Sequence, residues 1–113
     1  MDFSRLPTEA PQAVPADARL LDVREPAEWA AGHAEGALHV PMGQVVQRIE
    51  EILDHAGEQP LYVVCKVGGR SAQVAAFLGQ QGIHAINVAG GMAAWQACGR
   101  PLKNDTGADP FVL

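Results

Sequence analysis

One cysteine near the middle of the chain has the surroundings of a nucleophile. Cys65 follows the apolar run Leu61–Val64 and opens the segment Cys-Lys-Val-Gly-Gly-Arg-Ser, which ends at Ser71. The two glycines permit positive φ values, so the backbone amides from Lys66 to Ser71 can turn inward around the sulfur. A helix beginning at Ser71 adds partial positive charge, and such surroundings lower a cysteine pKa from about 8.5 to roughly 3.5–7.5. We therefore predict that Cys65 is a thiolate nucleophile at neutral pH.

The alternative for Cys65 is a small core residue, because cysteine often packs as an apolar side chain. The flanking residues argue against this interpretation. Gly68, Gly69 and the start of a helix bring nothing to an inert thiol, and neither do the nearby cations Lys66 and Arg70. All of them favour a thiolate.

Short strands and helices must hold this loop in place. Apolar runs bounded by turn residues predict strands, and helical spacing with capping residues predicts helices. Because the two kinds of element alternate, we predict an α/β fold with a parallel sheet and helices on both faces. The predicted strands are Arg19–Val23, Leu38–Val40, Leu61–Val64 and Ala85–Val88, and the predicted helices are Pro26–Ala31, one from Met42 that ends by Gly57, Ser71–Gln81 and Met92–Cys98.

The helix from Met42 is amphipathic, and its apolar stripe is predicted to lie in the core. The stripe comprises Met42, Val45, Val46, Ile49, Ile52 and Leu53.

Ligands of parallel sheets bind beyond the carboxyl ends of the strands, where loops converge. Cys65 lies at one such end, and the segments 22–24 and 89–91 follow two others. We expect these three segments to surround one mouth.

The whole chain of 113 residues is predicted to be one domain, with its core at about 19–102. Residues 1–18 contain three prolines and are expected to be an irregular lead-in, with one or two helical turns at Thr8–Ala13. Residues 103–113 form a tail in which Phe111–Leu113 either docks onto the body or frays.

Composition excludes several classes of function. A net charge of −5 argues against a nucleic-acid partner, and no apolar run is long enough to span a membrane. The chain has two cysteines and no Cys-x-x-Cys pair, so we expect no disulfide and a reducing cytoplasm. The first residues show no secretory signal. The four histidines lack zinc-ligand spacing, so we predict no metal. We also expect no cofactor.

Four ordered blocks of sequence resemble the single-domain rhodaneses, a family of sulfurtransferases, over about residues 19–102. The chain departs from the family at Ala34-Glu35, where an aliphatic residue and proline are common, and in its proline-rich start. The resemblance implies a three-layer α/β fold around a mostly parallel sheet. The blocks are Leu21–Pro26 with Glu28-Trp29, Gly32-His33 with Gly36-Ala37, Cys65–Ser71, and Gly90–Met92 with Trp95.

The resemblance also implies that Cys65 takes a sulfur atom from a donor such as thiosulfate and carries it as a persulfide. The sulfur atom would then pass to cyanide or to a thiol, which can belong to a protein. Arg70 would be the second catalytic residue, which attracts the anionic donor, although a salt bridge with Asp22 or Glu28 is the alternative. The remaining loop residues would bind substrate through their amides and the Lys66 charge. These residues are Lys66, Val67, Gly68, Gly69 and Ser71.

Four further residues of the matching blocks are expected to be scaffold: Asp22, Arg24, Trp29 and His33. Cys98 lies three residues from Trp95 on the last predicted helix. We expect it to be buried and without a role in sulfur transfer, with a resolving thiol as the alternative.

Two other functions compete with sulfur transfer. Cysteine-dependent phosphatases and arsenate reductases also place a cysteine-to-arginine loop after a strand, but their loop has one more residue than the four between Cys65 and Arg70. The shorter loop favours a single sulfur atom over a tetrahedral oxyanion. The other competitor is a regulatory or binding module on the same scaffold, which would commonly lack the cysteine.

Overall fold

The computed structural model describes residues 6–113, and the five strands among them form one sheet. Their order is β1-β5-β4-β2-β3, and every pairing is parallel. The strands are β1 (Thr8–Glu9), β2 (Arg19–Asp22), β3 (Leu38–His39), β4 (Leu61–Val64) and β5 (Ala85–Val88). The helices are α1 (Pro26–Ala31), α2 (Ile49–Ala56), α3 (Gly69–Gln80) and α4 (Gly91–Ala97).

Helices cover both faces of the sheet because successive strand residues point to opposite sides. Leu21 and Val63 face a core completed by α2 and α3. Their chain neighbours Leu20 and Val64 face a second core, completed by α4. The predicted α/β fold, with a parallel sheet between two helical layers, is confirmed.

The predicted long helix after Met42 is wrong in its first half. The segment 42–44 is a single turn of 3-10 helix, a run of turns follows, and α2 begins only at Ile49. The N–H of Met42 donates to the carbonyl of Val23 at 3.0 Å, which ties the segment to the end of β2. Gly43 and two adjacent β-branched valines also lower helix propensity at this position.

Only part of the apolar stripe lies in the core. Val45 and Ile52 are buried, whereas Val46 is 69% exposed and Leu53 is 45% exposed. The expectation that the entire stripe is buried is therefore wrong. The buried pair and the exposed pair each lie seven positions apart, so the stripe is wider than the side of the segment that the core covers.

The lead-in contains a strand that the sequence did not predict. Thr8–Glu9 pairs with β5, and only Pro11–Ala13 makes a 3-10 turn, so the predicted helical turns over Thr8–Ala13 are wrong in their first part. The backbone bonds to β5 decide the conformation there, with Asn87 N–H donating to the carbonyl of Pro7 at 2.8 Å. The lead-in residues 1–5 lie outside the described part of the chain.

The other predicted boundaries shift by one or two residues. β2 and β3 each end one residue earlier than predicted, at Asp22 and His39. α3 begins at Gly69 instead of Ser71 and ends at Gln80, and α4 spans Gly91–Ala97. These helices start early because the preceding residues, Gly68 and Gly90, adopt the left-handed conformation and cap them.

The tail from residue 103 docks onto the body. Lys103 and His33 form an antiparallel bridge, and the Phe111 N–H donates to the carbonyl of Ala31 at 3.1 Å. A side chain at Gly32 would collide with the Phe111 backbone, so this glycine allows the close approach of the tail. Val112 packs against the α4 core.

Within residues 6–113, no helix combines the length and apolar character that crossing a membrane requires. The same residues bring together no group of three or more histidine, cysteine or acidic side chains that could hold a metal ion.

Candidate active site

Cys65 lies at the carboxyl end of β4, four residues before α3 begins, and its side chain is buried. Gly68 has a φ of 110°, which L-residues with a side chain rarely adopt. This conformation turns the loop back on itself, and the Gly68 N–H donates to the Cys65 Sγ at 3.1 Å. The predicted role of the glycine pair, to bend amides toward the sulfur, is seen directly at Gly68.

The Ser71 hydroxyl is the second polar contact of the sulfur, with Oγ 3.2 Å from Sγ. Burial raises the pKa of the Cys65 thiol, but the hydrogen bonds of the Ser71 hydroxyl and of the Ser71, Gly68 and Val67 amides outweigh this effect. The pKa of Cys65 is therefore lowered overall. The loop favours the thiolate, the form that acts as a nucleophile.

The start of α4 holds the loop after Cys65 from the other side. Met92 N–H donates to the Cys65 carbonyl at 2.8 Å, and Ala93 N–H donates to the Lys66 carbonyl at 2.9 Å. Gly91 has a φ of 56°, and a side chain there would collide with the carbonyl of Cys65. The segment 89–91 thus lies against the loop, as the convergence of strand ends predicts.

Arg70 forms a two-pronged ion pair with Glu28 of α1, at 2.7 and 3.0 Å. The hydrogen bond to Arg70 is the main reason why the pKa of Glu28 falls to about 2. The same bond raises the pKa of Arg70, and the charge of Cys65 adds to this effect. Arg70 thus forms the salt bridge with Glu28 that the sequence offered as the alternative to a catalytic role. Contact between Arg70 and a substrate stays a prediction.

The remaining loop residues differ in what they present. Lys66 and Val67 are exposed at the mouth, whereas Ser71 is fully buried. Gly69 begins α3 and has open space where a side chain would be. Substrate binding by these residues, together with Gly68, stays a prediction.

Comparison with known proteins places the loop in a family. The family model of the rhodanese-like domain matches residues 6–98. The chain belongs to this family. The rhodanese-like chain is 41% identical to YtwF of Bacillus subtilis, provisionally named a sulfurtransferase, over 73% of this chain and 77% of that one. It is 38% identical to a protein of Allochromatium vinosum named sulfurtransferase, over 76% of this chain and 78% of that one.

The fold is also shared with a solved crystal structure. SSP1007 of Staphylococcus saprophyticus superposes with a TM-score of 0.75 at 30% identity, covering 88% of this chain and all of that one. The predicted membership of the rhodanese family is confirmed.

Asp22 and Arg24 form a buried pair at the end of β2, next to the loop of this rhodanese-like domain. The Arg24 guanidinium donates to both Asp22 carboxylate oxygens, at 2.7 to 3.1 Å, and to the carbonyl of Gly32 at 2.8 Å. Both side chains are fully buried. The pair ties the strand end to the segment after α1, which is the scaffold role predicted for it.

Trp29 lies between two histidines and helps to fix α1 in the rhodanese-like scaffold. Its ring stacks on His33 at 3.6 Å and on His39 at 4.7 Å between centroids. Each imidazole also donates to a carbonyl at 2.8 Å, His33 to Trp29 and His39 to Arg24. The predicted scaffold role of Trp29 and His33 agrees with these contacts.

Cys98 follows α4 and is half-buried, so the prediction that it is buried holds only in part. Its Sγ donates to the carbonyl of Trp95 at 3.3 Å. Both Cys98 and Cys65 are free thiols.

Sequence reasoning missed Asn87, a buried residue of β5 that contacts the site. Its Oδ1 accepts from the Ser71 hydroxyl at 2.6 Å, and its Nδ2 donates to the carbonyl of Gly68 at 3.3 Å. The available signal was an amide side chain inside the apolar run Ala85–Val88, because buried polar groups require a hydrogen-bonding partner.

Proposed function

We propose that the protein is a sulfurtransferase that carries a sulfane sulfur as a persulfide on Cys65. The single observation that supports this most is the position of its Sγ, which lies 3.1 Å from the Gly68 N–H and 3.2 Å from the Ser71 hydroxyl. These donors stabilise a thiolate without a separate general base. The names of the relatives at 38% and 41% identity support the general sulfurtransferase class.

The proposed reaction has two half-reactions. The Cys65 thiolate attacks the outer sulfur of thiosulfate, a sulfur–sulfur bond forms to Sγ, and sulfite leaves with the electron pair of the broken bond. Cyanide or a thiolate then attacks the outer sulfur of the persulfide, and Cys65 leaves as the thiolate. Because sulfite leaves before the acceptor reacts and the persulfide persists between the two half-reactions, ping-pong kinetics are expected.

The charges around the loop suit an anionic donor. Lys66 is exposed at the mouth, and Arg70 lies in the first turn of α3. We propose that both attract thiosulfate, which would compete with Glu28 for the Arg70 guanidinium. We also propose a reducing compartment such as the cytoplasm, because both cysteines are free.

A phosphatase is the less favoured function because the loop is short and closes tightly on the sulfur. Gly68 returns its N–H to Sγ only three residues after Cys65. A regulatory module without chemistry is also disfavoured, since such modules commonly lack the cysteine, whereas here Cys65 is present and accepts a hydrogen bond from the Gly68 N–H.

Intact mass before and after incubation with thiosulfate tests the proposal. The mass should rise by one sulfur atom and fall back when cyanide is added. Cys98→Ala should retain this gain and Cys65→Ala should lose it, so the two variants form a matched pair. A folded wild-type protein that gains no mass from thiosulfate, or that hydrolyses aryl phosphates through Cys65, would overturn the proposal.

A further inference from the structure

Asn87 contacts both residues whose polar groups lie against the Cys65 sulfur, Gly68 and Ser71. Its Oδ1 accepts a hydrogen bond from the Ser71 hydroxyl at 2.6 Å, and its Nδ2 donates a hydrogen bond to the carbonyl of Gly68 at 3.3 Å. Asn87 is buried, with 7% of its surface exposed, and Ser71 is fully buried, so water does not readily replace these bonds. The amide is therefore part of the surroundings that decide the state of the sulfur.

The Ser71 hydroxyl has one proton and two acceptors within reach. They are Asn87 Oδ1 at 2.6 Å and Cys65 Sγ at 3.2 Å. When Cys65 is a thiol, its S–H can donate to the Ser71 oxygen, and the hydroxyl can donate to Asn87. A thiolate can only accept, so the hydroxyl must turn toward the sulfur to stabilise it, and Asn87 Oδ1 then loses its donor.

We propose that Asn87 is a positioning residue that acts through Ser71, holding the hydroxyl proton while Cys65 Sγ is uncharged and releasing it when Sγ becomes a thiolate. This inference rests on the proposed sulfur transfer. In the persulfide the negative charge lies on the outer sulfur and Sγ is a neutral divalent atom, so the hydroxyl returns to Asn87. When the outer sulfur leaves, Sγ regains its charge and the hydroxyl turns back.

The rotation of one hydroxyl thus follows the charge of Sγ through both half-reactions. No proton is transferred, because the hydroxyl proton stays on Ser71 Oγ throughout. Asn87 competes with the thiolate for this proton, since it offers the hydroxyl a second buried acceptor. Removing the Asn87 amide should therefore favour the thiolate.

Charged groups also lie on the elements around the loop and must stay constant in a test. The neighbouring residues of α4, Gly91 to Ala93, carry no charge. The charged and titratable groups are Lys66 in the loop, Arg70 on α3, Glu28 on α1, Asp22 and Arg24 at the end of β2, and His39 on β3.

The test measures the pH midpoint of Cys65 alkylation by iodoacetamide in a Cys98→Ala background, where only one thiol remains. Asn87→Leu keeps the branching of the side chain and removes its polar atoms. It should lower the midpoint by about one pH unit, a roughly tenfold increase in the ionisation constant. Ser71→Ala should raise the midpoint. In the double variant, Asn87→Leu should add no further change to Ser71→Ala.

Two outcomes would overturn the inference. An equal shift from Asn87→Leu with and without Ser71 would mean that the amide acts directly on the sulfur. A higher midpoint in Asn87→Leu would mean that it acts by supporting Gly68. Circular dichroism melting establishes that the variants are folded.

A second measurement needs no substitution at Asn87. The side-chain carbonyl carbon of Asn87, followed by NMR in the Cys98→Ala protein, should titrate with Cys65 and should not titrate in Ser71→Ala. After thiosulfate loading its signal should return to the position of the thiol form. A signal that stays constant refutes the inference even if Asn87→Leu fails to fold.

The two proposals can fail separately. A gain of one sulfur atom without movement of the Asn87 signal refutes the Asn87 inference and leaves sulfur transfer intact. Movement of the signal with pH but no gain in mass refutes sulfur transfer.

Discussion

The ion pair between Glu28 and Arg70 should stabilise the fold in a pH-dependent way. The pKa of Glu28 falls from its ordinary value of 4.5 to about 2, first because of the hydrogen bond from Arg70. Each pKa unit corresponds to about 1.4 kcal/mol, so the lowered pKa implies roughly 3 kcal/mol of stability at neutral pH. The Arg70 side chain is 35% exposed and that of Glu28 is 16% exposed. Solvent screening therefore reduces our expectation to about 1–2 kcal/mol.

The sign of the pH dependence follows from the direction of this change. Because the folded-state pKa of Glu28 is depressed, its contribution is fully present above about pH 4.5 and is lost as the pH falls through about 2. Glu28→Gln should thus cost about 1–2 kcal/mol near pH 7 and less than half of that near pH 3.

Urea unfolding of Glu28→Gln and wild type across this pH range measures the difference. The matched control is Glu51→Gln, which breaks the exposed Arg48–Glu51 pair and should leave the free energy of unfolding unchanged. A Glu28→Gln variant as stable as wild type at neutral pH would refute the calculation. The same loss at both ends of the pH range would show that the carboxylate charge is not responsible.

Two further predictions concern the scaffold of the loop. Gly91→Ala should lower the melting temperature and slow Cys65 alkylation by more than about tenfold, because its φ is 56° and a side chain meets the loop carbonyls. Gly69→Ala is the control and should behave as wild type, because a side chain at position 69 would point into open space. Equal alkylation rates in the two variants would contradict the packing argument. Asp22→Asn should cost about 3–5 kcal/mol in urea unfolding because it leaves the buried Arg24 charge poorly paired. A loss below about 1 kcal/mol would contradict that estimate.

Local sequence determined the elements that depend on neighbouring residues. The apolar runs placed β4 and β5 correctly, and proline and glycine placed both ends of α1. The glycine pair after Cys65 predicted a loop that turns amides toward the sulfur, and Gly68 does so. Such features follow from φ preferences and from side-chain periodicity, which a single sequence displays.

Tertiary structure decided the features that depend on distant partners. Thr8–Glu9 is a strand only because β5 offers an open edge, and the helix after Met42 breaks where the segment bonds to the end of β2. Arg70 meets Glu28 across 42 positions of the chain, and Ser71 meets Asn87 across 16. Local periodicity does not encode which of several possible partners a side chain reaches. The sequence therefore indicated Cys65 as the candidate nucleophile and predicted its loop, whereas the fold determined which side chains hold them in place.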